Sequence, residues 1–144
     1  MRRAGPVWSD GRMDTLPDLS ESVRARLAEE WNAWLCTVRP DGSAHVTPVW
    51  FVYEDGTWWV GTDASAVKVR NLRGEPRVSL ALENGTHPVV AEGTASLTGD
   101  FPPPVVAAFA AKYDWDVTAP TRPGVGRVLL RVPVRRWLLA GTAQ

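Results

Sequence analysis

The chain has 144 residues, a mass of 15.8 kDa, and sixteen basic against sixteen acidic side chains, which is the size of a single domain with its own core. Zero formal charge leaves no broad electrostatic footprint for nucleic acid or an anionic membrane, so neither is expected as a partner. One cysteine, Cys36, rules out an internal disulfide framework and a thiolate metal cluster, and suits a cytoplasmic protein. Residues 1–15 read as a loose arm without the apolar run of an export signal, ahead of a domain spanning residues 16–144. No stretch of about 18 consecutive apolar residues occurs, so no membrane-spanning helix is expected.

Leu19, Val23, Leu27 and Trp31 recur every four residues and predict an amphipathic helix over residues 19–30, with Asp18 and Glu21 as its capping pair. Residues 33–38 follow as a strand, closed by Arg39-Pro40-Asp41-Gly42, where proline presets one dihedral and glycine accepts a positive one. Residues 44–53 pair back; Glu54-Asp55-Gly56 makes a second hairpin turn, and residues 57–62 return. The 44–53 run is apolar at nearly every position, which predicts a strand covered on both faces. Pro48 in its middle has no N–H to give to a ladder, so something other than a strand is expected beside it.

Gly61-Thr62 reads as the polar end of that returning strand, and Ser65 as the cap of a short helix over residues 66–73, stopped by Gly74 and Pro76. Lys68 lies in its first turn, where backbone amides and one cation meet, a natural seat for an anion. Val78, Leu80 and Leu82 alternate with polar or small residues up to Asn84-Gly85, and residues 89–97 form the next strand. Pro102, Pro103 and Pro104 open a helix over residues 105–113, and a final strand covers residues 127–139. Six mainly antiparallel strands with three short helices predict a mainly β split barrel. A barrel this small is filled by its own side chains, so a planar ligand would lie outside it, in a groove completed by a second copy in a homodimer.

The hairpin CTVRPDGSAHVTPVWF, the segment GTDASAVKVRNLRGEPRVSL, the strand VAEGTASLTGD and the late strand RVLLRVPVRRW together resemble the pyridoxamine 5'-phosphate oxidase-like split β-barrel superfamily, and within it the branch of F420- or FMN-dependent reductases. The resemblance implies a homodimer with two interface sites for a phosphate-bearing tricyclic cofactor, and hydride transfer to a small-molecule acceptor. It places Thr47, Pro48, Val49 and Trp50 against the ring and Gly61 and Thr62 on the next contact strand. Ser65, Val67, Lys68 and Asn71 fall around the phosphate, with Lys68 the cation that holds it.

Three cations of the oxidase pattern are replaced here, by Thr47, Val52 and Val67. A dianionic phosphate with one lysine keeps less charge-assisted bonding, so the resemblance favours F420 over FMN. No catalytic residue is singled out, because the cofactor carries the chemistry. His45 and His87 stand alone, with no metal site, and Tyr113, Trp115 and Asp116 are candidates either for shaping access to the groove or for packing at a helix end. Two readings without turnover stay open, a cofactor carrier and an interaction module that uses its eight tryptophans as a dimer surface.

Overall fold

The structure, a computed structural model, describes residues 18–142; the expected N-terminal arm lies outside the described residues. Helix α1 (Glu21–Glu29) leads into a curled antiparallel sheet built from β1 (Asn32–Val38), β2 (Ala44–Trp50), β3 (Val52–Glu54), β4 (Thr57–Asp63), β5 (Arg77–Leu82), β6 (Val89–Thr94), β7 (Ser96–Thr98) and β8 (Arg127–Ala140). Helix α2 (Val67–Gly74) connects β4 to β5, and α3 (Pro103–Tyr113) connects β7 to β8. The expected mainly β split barrel with three helices is the architecture observed.

Helix α1 is capped by Ser20, whose Oγ accepts from the Val23 amide at 3.2 Å, and not by the Asp18–Glu21 pair. Val23 and Leu27 enter the core, whereas Trp31 lies beyond the helix and is half exposed, because Glu30 already has extended backbone (ψ 138°). The hairpin turns follow expectation. Asp55 and Gly56 both take positive φ (50° and 76°), the geometry of a two-residue type I′ turn between β3 and β4.

The sheet path runs β2-β1-β5-β6-β8-β4-β3, with β7 alongside β8. Strand β8 is the spine: its first half pairs with β4 and β7, and its second half pairs with β6. It passes so close to β6 that a Cβ on Gly93 would fall 2.5 Å from the Pro133 carbonyl oxygen, which is why that position carries no side chain. Leu35, Trp58, Val60, Leu80, Val132 and Val134 fill the interior under Val23 and Leu27. A second cluster joins Val105, Phe109 and Tyr113 of α3 to Val52, Val117 and Leu129.

Eight strands replace the expected six because two runs are broken by contacts from distant residues. Residues 89–97 divide at Ala95, whose amide donates to the Pro76 carbonyl (2.8 Å). Residues 44–53 divide at Phe51. There the Phe51 amide donates to Tyr113 Oη (2.9 Å), whose own proton is shared between the Trp31 and Phe51 carbonyls, each 2.8 Å away. Lys112 Nζ donates to the carbonyls of Phe51 (3.1 Å) and Leu27 (3.2 Å) and sits 3.8 Å from the centre of the Phe51 ring. Nor is β2 covered on both faces: Ala44, Val46, Pro48 and Trp50, which share one face, are exposed, while Val49 on the other face is buried, so only one face packs on the core.

Two consequences are measurable. Tyr113→Phe leaves the buried Phe51 amide without its acceptor and is expected to lower the unfolding free energy by about 1–3 kcal/mol in denaturant titration. Burial drops the Lys112 ammonium to about 8 from its ordinary 10.5. Between those values the unfolded chain binds more protons than the folded one, so this lysine's contribution to stability rises with pH. The stability of the wild type relative to Lys112→Met should therefore increase from pH 7 to 10, and a constant or shrinking difference would contradict the assignment.

Candidate functional site

Where the edge of β2 meets β4, the start of α2 and the loop after α3, the surface opens into a groove of about 310 Å³. One wall is Pro48, Val49 and Trp50; the floor is Val60, Gly61, Thr62 and Asp63, and Lys68, Trp115, Thr121 and Arg127 close the remaining sides. Pro48 is tolerated here because an edge strand has one side that needs no ladder donor. The β4 strand runs one residue beyond the expected 57–62, through Gly61 and Thr62 to Asp63, and a turn follows at Ala64 and Ser65.

Six of the ten residues singled out from the sequence thus meet at one groove: Pro48, Val49, Trp50, Gly61, Thr62 and Lys68. The other four are outside its lining. Thr47 points its Oγ1 into the protein, where it finds no partner. Ser65 does not cap α2, whose N-cap is Ala66 without a side-chain bond; its Oγ accepts instead from Arg122 Nη2 at 3.2 Å. Val67 is exposed. Asn71 is fully buried and donates to Thr37 Oγ1 (3.1 Å), tying α2 to β1, on the side of a separate 430 Å³ cavity beneath the β1–β2 turn.

The lining residues not singled out from the sequence supply most of the polar chemistry. Asp63 accepts from Thr121 Oγ1 (2.8 Å to each carboxylate oxygen) and from Arg127 Nη1 (2.9 Å), and these partners hold its carboxyl below the usual carboxylate range, Thr121 most of all. Arg127 also donates through Nε to the Val117 carbonyl (3.2 Å). Lys68 has no hydrogen bond or ion pair with any described residue. Burial lowers its pKa, with Asp63 opposing the shift. The groove therefore presents a half-buried cation with free donors. Its lining also holds Trp50 and Trp115, which meet edge to face, their centroids 5.5 Å apart, and Trp50 stacks flat on Tyr113 at 4.5 Å. Such a surface can hold a planar ring against apolar walls and an anionic group at Lys68.

Of the remaining candidates, Tyr113 packs against Phe51, and Asp116 caps its own turn through Thr118. Only Trp115 reaches the groove. His45 and His87 lie apart from it, and no described residues form a group of three or more metal ligands.

The sequence profile of the family described as pyridoxamine 5'-phosphate oxidase matches residues 19–139. Among solved structures, an F420 reductase is similar at 25% identity, covering 83% of this chain and 95% of that one, with a TM-score of 0.63. A conserved hypothetical protein from Mycobacterium tuberculosis is 27% identical over 90% of this chain and 89% of that one (TM-score 0.64). A haem storage protein from Vibrio cholerae shares the fold at 19% identity, over 82% and 91% of the two chains (TM-score 0.65). No match was found among curated proteins.

Gly61 owes its lack of a side chain to packing inside the protein: a Cβ there would lie 2.3 Å from Val117 Cγ2. Gly61→Ala is expected to cost about 1–3 kcal/mol of stability in thermal or chemical unfolding. Trimming the obstacle in the Gly61→Ala/Val117→Ala double variant should make the effect of the added methyl smaller than in the wild-type background; an equal effect in both would show that Val117 is not the obstacle.

Proposed function

The chain belongs to the pyridoxamine 5'-phosphate oxidase family, and from that premise we propose that it is a cytoplasmic F420-dependent oxidoreductase that works as a homodimer. The observation that carries this reading is Lys68, a half-buried cation with no hydrogen bond or ion pair among the described residues, set in a groove that Trp50 and Trp115 also line. Holding a lysine partly out of water with nothing to bond is unfavourable, and an anionic ligand group offsets that cost.

The residues present fit a ring-and-phosphate cofactor. Lys68 and the Thr62 hydroxyl would take the anionic group, Pro48 and Val49 would support the ring, and Trp50 and Trp115 would exclude water from its edge. When bound, the cofactor supplies the hydride chemistry. The chain's part is to bind, orient and desolvate; among the described lining residues the one carboxylate, Asp63, is held by Thr121 and Arg127. A small organic acceptor would lie over the open side of the groove.

That open side is also the case for a second copy. Val46 is 54% exposed, Trp34 45% and Trp50 39%, and Pro48 lies between Val46 and Trp50 on the same exposed face of β2. A second copy set against this face would bury that apolar area and complete the groove. Within this reading residues 16–144 act as one cofactor-binding domain.

An FMN-dependent activity is the second reading, and one observation favours it: Arg127 comes from β8 into the same groove as Lys68, so the site is not limited to one cation. Titration with F420 and with FMN, followed by tryptophan emission and equilibrium dialysis, separates the two. F420 should bind in the micromolar range and FMN more weakly; a preference for FMN moves the protein to the flavin branch, and binding of neither leaves an interaction module. Lys68→Ala should weaken binding by about 1–3 kcal/mol while the oligomeric state, measured by sedimentation, stays unchanged. Unaltered affinity would remove the anion from Lys68.

A further inference from the structure

Arg127 stands out among the groove residues because its guanidinium is incompletely bonded. Its side chain is only 6% exposed. Nη1 is taken by Asp63 and Nε by the Val117 carbonyl, but Nη2 is buried and has no acceptor. A charged donor left unpaired inside a protein is costly, and a native structure retains few of them. The mount around it is well built: Thr121 steadies the Asp63 carboxylate, and the backbone of the loop before β8 is tied down by the Ala64 amide on the Gly126 carbonyl at 2.8 Å. Nη2 packs against the Gly61 backbone and the Trp115 ring: a Cβ on Gly61 would lie 3.4 Å from Nη2 and 3.6 Å from Trp115 Cη2, and the guanidinium carbon is 5.3 Å from the Trp115 ring centre.

Resting on the cofactor-groove reading, we propose that Arg127 is a ligand-binding residue of this groove, its Nη2 donating to an oxygen of the bound molecule, either a phosphate oxygen or a carbonyl on the edge of the planar ring. Asp63, Thr121 and the Val117 carbonyl act as positioning groups that fix the direction of the free N–H. Trp115 lies beside Nη2, so its emission reports a ligand oxygen arriving there. The groove then has two cationic donors from distant parts of the chain, Lys68 as a mobile point charge and Arg127 as a fixed planar donor.

The test titrates wild type, Arg127→Lys and Arg127→Gln with FMN, riboflavin and F420, by dialysis and by the change in Trp115 emission referred to Trp115→Phe. Arg127→Lys keeps the charge and loses the forked donor. Both variants are expected to bind about tenfold more weakly than the wild type. A loss seen with FMN but not with riboflavin assigns Nη2 to the phosphate, and a loss seen with both assigns it to the ring carbonyl. Affinities in both variants equal to the wild type would overturn the proposal and leave the cofactor reading standing, whereas a wild type that binds none of the three overturns both. Should the variants fail to fold, a crystal structure of the wild type with the cofactor that binds decides the matter. An oxygen within about 3.2 Å of Nη2 supports the assignment, and its absence overturns it.

Discussion

The constraint on which this structure turns is the peptide at Phe51. Strands β2 and β3 are the two ends of the sheet path yet are neighbours in the chain, so the barrel closes through one covalent link and not through a ladder of hydrogen bonds. The amide and carbonyl at that link belong to neither strand, and leaving them bare in the interior would cost as much as several ordinary hydrogen bonds contribute. The end of α3 resolves the problem with two adjacent side chains, the Tyr113 hydroxyl and the Lys112 ammonium. One turn of one helix thereby satisfies the backbone where β2 passes into β3.

That same contact sets the groove. Tyr113 lies flat against Trp50, which forms part of the β2 wall, and Asp114 then takes left-handed backbone (φ 52°) to end α3 and turn the chain toward Trp115 and Val117. From Val117 the path leads to Arg127 and Asp63, and so to the floor of the groove at Gly61. Closure of the fold and the shape of the groove are joined in this series: Trp50, which stacks on Tyr113, also lines the groove. The Asp63–Arg127 ion pair that anchors the loop at β8 lines the same groove as Lys68. The Asp63 carboxylate in a groove suited to anions is explained by that anchoring, since it fixes Arg127 and is itself saturated by Thr121.

The parts of this protein that were legible in the sequence are those governed by near neighbours. Alternation in residues 78–82 and 127–139 identifies strands because the side-chain period of a strand is two, and Asp55-Gly56 identifies a hairpin because few residues accept positive φ. The Lys68 segment was noticeable because a cation at a helix start has a local physical reason, and the Pro48 strand because a proline cannot donate to a ladder; the family resemblance joined the two.

Legible in the residues, then, were the three helices and six strand runs in their order, and, through the family resemblance, the split barrel and six residues that line the groove. The breaks that turn six runs into eight strands come from long-range contacts, since Phe51 is claimed by Tyr113, 62 residues away, and Ala95 by Pro76. The tertiary structure alone removed Ser65 and Asn71 from the groove, because their partners Arg122 and Thr37 are remote in the chain. It brought in Arg127 because β8 pairs with β4 in a register that sets Asp63 opposite Arg127. Periodicity and turn chemistry act over a few residues, whereas a groove is made where segments far apart in the chain are brought together, and no local pattern records which residues will meet there.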